Sequence, residues 1–383
     1  METAVKEILS IDKTNWTPVK FGDVVFEPKE NAKDIYNEGI EHVVGLEHID
    51  SENIHLTRSG KLEETTTFSK KFKKGDVLFG RRRAYLKKAA LASFDGICSG
   101  DITVFRAKKN LLPELLPFIV NNEKFFDYAI KHSAGGLSPR VKFKDLANFK
   151  FLLPPKDQQA HLAKLLMAMD EVIEREKEVE QKFQFTLFSS LKGIFQKTNK
   201  REKLIDLCFD QPKYGANSSA IEYDNVTRYL RITDIGEFGE LNDEKVSAEK
   251  HEDKYLLKYG DFLLARSADP GRAYFYKDQD GRCTHAGYLI KFPLDLTKIL
   301  PEYLYFFTQT REFKIWINQT TRTGTLSNIN SKEFSSLMIP VTSISNQTKI
   351  ISEISNLYKI HKDVKEKIAN SKSLQKSLIN QIF

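Results

Sequence analysis

The sequence Gly75-Asp76-Val77-Leu78-Phe79 recurs 185 residues later as Gly260-Asp261-Phe262-Leu263-Leu264. In each copy a Gly-Asp turn signal precedes a short apolar run, a pattern typical of a β-strand between turns. Other motifs recur at offsets of 185 or 188 residues: Asp95-Gly96-Ile97-Cys98 as Asp280-Gly281-Arg282-Cys283, Leu112-Pro113-Glu114 as Leu300-Pro301-Glu302, and Ile194-Phe195 as Ile382-Phe383. A period near half of the 383 residues far exceeds the roughly 20 to 50 residues of solenoid repeats, so it indicates two copies of one domain-sized unit.

The duplication also predicts symmetry. Two like units in one chain are expected to pack about a pseudo-two-fold axis, as identical subunits most commonly do. Duplex DNA has a two-fold axis of its own, so this arrangement suits duplex DNA as a ligand.

The composition is that of a globular and mildly basic protein. Hydrophobic residues make up 40%, and the 59 Lys and Arg exceed the 52 Asp and Glu by 7. That charge is compatible with nucleic-acid binding without requiring it. The three cysteines, Cys98, Cys208 and Cys283, lie far apart, which favours neither a disulfide framework nor a zinc site. With no export signal or membrane span recognisable, we expect a cytoplasmic protein that does not contact membranes.

Each copy divides into a mixed segment and a long helix, which predicts an α+β fold. We place the first mixed domain at residues 1–155, its helix at 156–199, the second domain at 200–342 and its helix at 343–383. Both mixed segments contain short strands and then an aromatic-rich helical stretch, at 115–131 and 303–318. Each stretch leads into a loop of small residues, at 132–138 and 321–327.

The two long helices are indicated by apolar residues at steps of three and four, without an internal proline. A helix of about 35 residues spans roughly 50 Å, and a single apolar stripe of that length needs a partner. A two-fold axis crossing the helices makes them antiparallel, so they form a coiled-coil spacer. The predicted apolar seams are Leu162, Leu165, Met169, Val172, Val179, Phe183, Leu187, Leu191 and Ile194, interrupted by Glu176, and Ile350, Ile354, Leu357, Val364, Ile368, Leu378 and Ile382, weakened by His361, Ser371 and Gln375.

Motifs for catalysis are not recognisable in the chain. The sequence contains no Asn-Pro-Pro-Tyr or Asp-Pro-Pro-Tyr, no Gly-rich S-adenosylmethionine loop after a strand, and no phosphate-binding Gly-x-x-x-x-Gly-Lys. The eight histidines lack the spacing of metal ligands, and no nucleophile motif is evident. The sequence therefore predicts a binding protein without catalytic residues, bound cofactor or metal.

Basic residues follow the Gly-Asp strand in both copies. Arg81, Arg82 and Arg83 come directly after the first strand with Lys87 beyond them, and Arg266 and Arg272 come after the second. A solvated charge run is the alternative interpretation, but recurrence at one place in both copies favours DNA contact. Arginine's planar fork suits both guanine edges and phosphates.

A second group of candidate DNA contacts lies in loops of small polar residues, which ordinary turns would explain equally well. It comprises Lys213, Tyr214, Asn217, Ser218, Arg140 and Arg322. We expect the aromatic residues Phe125, Phe126 and Tyr305 to Phe307 to lie in the core rather than to stack on bases. Cys98 and Cys283 are expected to fill equivalent buried positions, because both follow an Asp-Gly motif.

The order of these motifs, present twice, resembles the specificity subunit of type I restriction-modification systems. The resemblance depends on motifs at the start of each domain, on the Gly-Asp strands and on the junctions before each long helix. These motifs are Trp16 to Val24, Lys203 to Leu207, Tyr214-Gly215, Tyr229 to Ile235, and the junctions Phe151 to Gln159 and Met338 to Gln347. The second junction departs from the pattern, since it lacks one of the two prolines and the acidic residue of the first.

The resemblance implies a division of labour. Each target-recognition domain would read one half of a split DNA sequence, and the paired helices would fix the gap between the halves. Two modification (methyltransferase) subunits would dock on the helices, carry S-adenosylmethionine and methylate adenine, and restriction (motor-nuclease) subunits would join them. A stand-alone DNA methyltransferase or nuclease, and a coiled-coil scaffold whose end domains bind proteins, remain as alternatives.

Overall fold

The computed structural model describes residues 12–62, 67–321 and 328–383. The chain forms two compact units, one built from residues 1–176 and 367–383 and the other from residues 177–366. Each unit therefore contains one mixed domain together with a portion of both long helices.

The elements of the first mixed domain are short strands and short helices. The strands are β1 (Thr17–Lys20), β2 (Val25–Phe26), β3 (Val43–Val44), β4 (Lys70–Phe72), β5 (Val77–Gly80), β6 (Ala89–Leu91), β7 (Gly96–Cys98), β8 (Ile102–Ala107) and β9 (Lys150–Leu153). The helices are α1 (Phe21–Val24), α2 (Leu116–Val120), α3 (Glu123–Lys131) and α4 (Phe143–Leu146), and the long helix α5 (Lys156–Gln196) follows.

The second mixed domain repeats this construction. Its strands are β10 (Arg201–Lys203), β11 (Lys213–Tyr214), β12 (Ala220–Glu222), β13 (Arg228–Leu230), β14 (Val246–Ala248), β15 (Asp261–Ala265), β16 (Ala273–Phe275), β17 (Cys283–His285), β18 (Leu289–Pro293) and β19 (Met338–Pro340). Its helices are α6 (Pro301–Thr308), α7 (Arg311–Thr320) and α8 (Ser331–Ser335), and the second long helix is α9 (Ile344–Ile382).

The sheets of the two domains have matching topology, which confirms the predicted duplication. A four-stranded sheet has the order β2-β8-β5-β6 in the first domain and β11-β18-β15-β16 in the second. A parallel pair, β3 with β7 or β13 with β17, accompanies it in each domain. The first and last strands of each domain also pair, β1 with β9 and β10 with β19, so each domain closes on itself before its long helix begins.

The repeated Gly-Asp motif forms the same turn in both domains. Gly75 and Gly260 both have φ of +91°, a conformation that favours glycine. The following carboxylate then accepts a backbone hydrogen bond, from Lys73 at 2.8 Å to Asp76 and from Lys258 at 2.9 Å to Asp261. The motif thus fixes the start of the central strand of each four-stranded sheet.

The aromatic residues and two of the cysteines lie in the cores, as predicted. Phe125, Phe126 and the run from Tyr305 to Phe307 are buried, and Cys98 and Cys283 are each 0% exposed on equivalent strands β7 and β17. The aromatic-rich helical stretches, however, are each divided into two helices. Asn122 and Thr310 interrupt them, because their side chains accept N-cap hydrogen bonds that begin a second helix.

The domain-to-helix junctions are held by a buried glutamine in both copies. Gln159 accepts a hydrogen bond from the backbone of Leu112 at 2.8 Å and donates to the carbonyls of Asn110 and Pro154. Gln347 repeats all three bonds: it accepts from Leu300 at 2.9 Å and donates to Lys298 and Thr342 at 2.9 and 2.8 Å. The second junction therefore keeps this clamp although it lacks one proline and the acidic residue.

The long helices run antiparallel, as predicted. In the first unit Leu162 and Leu166 at the start of α5 share a core with Leu378 and Ile382 at the end of α9. In the second unit the end of α5 shares a core with the start of α9, through residues such as Leu191 and Ile354.

The predicted seam of α5 was wrong at two positions. Val172 and Val179 are 49% and 55% exposed, whereas Leu166 and Ile173 are buried. The buried face of α5 carries Glu176 and Glu180 in this region. Val172 and Val179 lie on the neighbouring exposed face, so the apolar spacing that included them did not mark the buried face. Within the described residues, neither long helix nor any other is apolar enough to cross a membrane.

Candidate nucleic-acid interface

Arg81 and Arg266 occupy equivalent places in the two domains. Each follows the central strand of its sheet, β5 or β15, and each carbonyl accepts a backbone hydrogen bond from the segment beyond the small-residue loop. The donors are Val141 at 3.0 Å and Ile329 at 2.8 Å. The structure thus places the segment that follows each small-residue loop beside the basic segment of its domain, a proximity that the sequence order did not reveal.

In the first domain two predicted DNA contacts meet at one carboxylate. Arg82 Nη1 lies 3.2 Å from Asp101 Oδ2, and Arg140 Nε donates to Asp101 Oδ1 at 2.8 Å. The second terminal nitrogen of Arg82 donates to Ser138 Oγ at 3.0 Å. Partial burial acts to raise the pKa of Asp101, but the hydrogen bonds of Arg140 and Arg82 outweigh it and hold that pKa below its ordinary value. Asp101 therefore stays ionised and fixes both guanidinium groups.

A small hairpin presents Arg140 at this cluster. Ala134 and Arg140 exchange two backbone hydrogen bonds of 2.9 Å, and the backbone of Arg83 donates to Pro139 at 2.9 Å. Arg83 is exposed and has φ of +55°, so it marks a sharp turn in the basic segment. Leu137 at the hairpin tip is 98% exposed. The hairpin tip and the basic segment thus form one continuous surface.

Lys87 belongs to a different network. Its ammonium group lies 2.5 Å from Glu123, and Lys376 of α9 lies 2.7 Å from the same carboxylate. The DNA contact of Lys87 stays a prediction, and these partners give Lys87 a role in packing the domain against α9.

In the second domain the structure brings Tyr214 and Arg266 together. The Arg266 guanidinium lies over the Tyr214 ring, 5.0 Å from its centroid, and Arg266 Nε donates to Asn328 Oδ1 at 3.0 Å. The Tyr214 hydroxyl accepts a hydrogen bond from the backbone of Ser331 at 3.1 Å. Partial burial acts to raise the pKa of Tyr214, yet the hydrogen bonds of Ser331 and the positive charge of Arg266 lower it. Stacking and hydrogen bonding therefore fix the direction of Arg266.

The loop that begins at Lys213 rests on buried supports. The Tyr229 hydroxyl donates to the carbonyl of Ala216 at 2.8 Å and lies 3.1 Å from that of Ser218. A Cβ at Gly215 would lie 2.2 Å from the His285 carbonyl oxygen, so only glycine fits there. Asn217 is left exposed on this rigid loop.

Of three further predicted contacts, Lys213 and Arg272 are bound to partners within the protein, and Arg322 is not among the described residues. Lys213 pairs with Asp210 at 2.5 Å. Arg272 donates to Asp269 at 2.6 Å and to the Ile235 carbonyl at 2.8 Å, which ties down a loop. Arg322 lies outside the described residues.

Sequence reasoning missed the groups that orient the arginines and Tyr214: Asp101 and Asn328 accept from arginines, and Ser331 bonds to Tyr214. Asn328 stands 188 residues after Arg140, so the repeat offset alone could have identified it as the counterpart of Arg140. The structure agrees, because the two residues occupy equivalent bridge positions. Asp101 and Ser331 carried no such signal, because they reach the site only through the fold.

One group of side chains in the first unit offers ligand atoms of the kind that bind metal. Single ligand atoms of His55, Asp170 and Glu174 lie within 4.8 Å of one another. His55 Nε2 lies 2.6 Å from Asp170 Oδ2, across 115 residues of sequence. That separation explains why the histidine spacing gave no indication of the group.

The duplicated α+β domains, the long antiparallel helices and the oriented arginines define a class of protein with two related binding domains joined by helical spacers. The family described as "Type I restriction modification DNA specificity domain" matches the chain twice, at residues 13–183 and 188–370. The chain therefore belongs to the family of type I restriction-modification specificity subunits.

Curated relatives agree with this assignment. The type I restriction enzyme MjaVIII specificity subunit of Methanocaldococcus jannaschii is 26% identical over 326 residues, 74% of this chain and 76% of the relative. The EcoDI specificity subunit of Escherichia coli is 29% identical over 119 residues, 30% of this chain and only 26% of that relative. The match with the Escherichia coli protein thus spans about a quarter of its length.

Solved structures show the same fold over nearly the whole chain. A chain from the structure described as "Structural basis underlying complex assembly and conformational transition of the type I R-M system" aligns with a TM-score of 0.58 at 20% identity, covering 96% of this chain and 97% of that one. The type I restriction-modification S subunit from M. genitalium aligns with a TM-score of 0.54 at 13% identity, covering 98% of both chains. The predicted fold class is confirmed.

Proposed function

We propose that this chain selects the DNA sequence on which a type I restriction-modification complex acts. Each mixed domain binds one half of a bipartite target, and the long helices carry two modification subunits and set the distance between the halves. The chain itself is non-catalytic and binds no cofactor. S-adenosylmethionine belongs to the modification subunits, restriction subunits join the complex for cleavage, and the complex works in the cytoplasm.

One observation carries this proposal: the two domains present oriented arginines at equivalent places but with different surroundings. Arg82 and Arg140 converge on Asp101 in the first domain, and Arg266 stacks on Tyr214 in the second. Equivalent placement indicates a shared kind of ligand, because both arginine sets border the same strand end. Unequal chemistry around them indicates that each domain prefers a different sequence.

Reconstitution with the modification subunits tests the proposal. The purified complex is supplied with S-adenosylmethionine and genomic DNA, and the methylated adenines are mapped. We expect one bipartite motif whose halves are centred about one helical turn, roughly 34 Å, apart. An uninterrupted motif, or methylation without sequence preference, would contradict the proposal.

A matched pair of variants assigns the DNA contacts in that assay. The triple variant R81A/R82A/R83A is expected to lose methylation at the target, whereas R58A is expected to retain it. Arg58 is an exposed arginine of the same domain whose partners are the Glu47 carbonyl and Asp50. Equal activity of both variants would indicate that the basic segment is merely solvated.

A further inference from the structure

Each domain holds one arginine by its Nε nitrogen alone. In the second domain Arg266 Nε donates to Asn328 Oδ1 at 3.0 Å. In the first domain Arg140 Nε donates to Asp101 Oδ1 at 2.8 Å. Among the described residues, the two terminal nitrogens of Arg140 and of Arg266 have no hydrogen-bond partner.

Two other arginines near these strand ends, Arg82 and Arg272, direct both terminal nitrogens at partners in the chain. Arg82 directs one at Asp101 and the other at Ser138. Arg272 directs one at the Ile235 carbonyl and the other at Asp269. Within the described ranges, Arg140 and Arg266 therefore differ from Arg82 and Arg272 in having Nε held while both terminal nitrogens are left for a ligand. Arg81 is not held in this way, because its buried Nε has no hydrogen-bond partner there.

The two tethered arginines lie on different segments of the same kind of backbone bridge: Arg140 is a member of its bridge, and Arg266 directly precedes the bridge residue Ser267. Arg82 bridges Arg140 in the first domain, and Ser267 bridges Asn328 in the second. Arg140 is the counterpart of Asn328, which is the acceptor in the second domain, whereas the acceptor in the first domain, Asp101, comes from a third segment. The two domains thus reach one arrangement with different residues, which argues that the arrangement itself matters.

The ligand must offer two acceptors in one plane, at a spacing that matches the two terminal nitrogens. Guanine presents O6 and N7 in this way on its major-groove edge. A phosphate also accepts two hydrogen bonds, but it is reached by flexible side chains as readily as by fixed ones. The fixed direction given by Asn328 and the Tyr214 ring, and by Asp101, is what reading a base edge requires.

Resting on the proposed function, we infer that Arg140 and Arg266 each read a guanine through their two terminal nitrogens, one guanine in each half of the target. Asp101 and Asn328 are positioning residues that hold Nε. Asp101 is paired with both Arg140 and Arg82, so the cluster keeps a net positive charge toward DNA.

The test uses the complete complex with its modification subunits and the target found by methylation mapping. Each guanine of both half-sites is replaced in turn by 7-deazaguanine, which lacks the N7 acceptor. Binding affinity is measured for the wild type, R140K, R266K and the control R282K. Lysine keeps the charge but loses the fork. Arg282 lies in the second domain and bonds to Thr227 and Asp253.

We expect one guanine in each half-site at which 7-deazaguanine weakens wild-type binding about 5- to 150-fold. R266K should bind the natural target more weakly by a similar factor and show no further loss at the guanine of its own half-site. R140K should do the same in the other half-site, and R282K should behave as the wild type. N328A should show part of the R266K effect, because only the tether is lost.

Three outcomes would overturn the inference. A half-site without guanine is one, and unchanged 7-deazaguanine penalties in R140K and R266K are another. In both cases the proposed function stands as long as the wild-type complex binds its mapped target more tightly than a scrambled duplex. A wild-type complex that binds its mapped target no better than a scrambled duplex would remove the proposed function and this inference together. Thermal unfolding of each variant confirms that the substitution has not simply unfolded the chain.

Discussion

The buried glutamine clamps give a sharp test of how the domains are joined to the long helices. In Gln347→Met the side-chain volume is kept, but three backbone groups lose their partner: the N–H of Leu300 and the carbonyls of Lys298 and Thr342. Gln347 is 0% exposed, so water cannot easily replace it. At about 1 kcal/mol per lost hydrogen bond, the unfolding free energy should fall by about 3 kcal/mol, and by more if the groups stay unsatisfied.

Two tryptophans make the measurement possible in each unit separately. Trp16 lies in the first unit and Trp316 in the second, and the chain has no other tryptophan. In a W16F background only Trp316 remains, so urea unfolding followed by fluorescence reports on the second unit and on Gln347→Met. In a W316F background only Trp16 remains, and the same measurement reports on the first unit and on Gln159→Met. Because Gln159 makes the same three kinds of bond, the two losses should agree within about 1 kcal/mol.

The control is Gln181→Ala, an exposed glutamine on α5, which should change stability by less than about 0.5 kcal/mol. A loss below about 1 kcal/mol in Gln347→Met would refute the reasoning, since it would mean that the clamp contributes little more than a solvent-exposed side chain.

Three further predictions follow from individual contacts. Burial lowers the pKa of His285 to about 4, so the unfolded chain binds a proton more readily than the folded chain. The second unit should therefore lose about 3 kcal/mol of stability as the pH falls from about 6.5 toward 4. The variant His285→Gln should abolish this loss, as measured by urea titrations at several pH values. Asp101→Ala should weaken target binding, because Arg82 and Arg140 lose their common acceptor, whereas Asp101→Asn should retain more affinity in the same binding assay. Replacing residues 200–342 by the corresponding domain of a relative should change one half of the methylated motif and leave the other half unchanged; a change in both halves would show that the domains do not read independently.

The duplicated core was predictable because it depends on local chemistry that the sequence shows directly. The Gly-Asp turn needs a glycine at positive φ and a carboxylate one residue later, and both copies retain them. The buried face of α5 was less predictable, because Glu180 as well as Glu176 lies on it, whereas the sequence pattern placed Val179 there. A carboxylate can lie there when a basic partner is present, as His361 is for Glu180 at 2.6 Å.

The candidate site was predictable in its residue types but not in its geometry. The sequence placed arginines after the central strand of both sheets, and the structure confirms that placement. Arg140 is held at one nitrogen and Arg82 at two, and this difference depends on acceptors such as Asp101 and Ser138, which come from other segments. Sequence order alone therefore could not separate Arg140 from Arg82.

The composition of the first unit has a consequence for how the chain folds during its synthesis. Its core includes Leu378 and Ile382 packed with Phe151 and Leu162, and residues 177–366 are translated between these two groups. At about 5 to 20 residues per second, that interval lasts roughly 10 to 40 s. For that time we expect the first domain to expose the apolar face that Leu378 and Ile382 later cover. Both halves of the molecule are thus completed nearly together, although one of them begins much earlier.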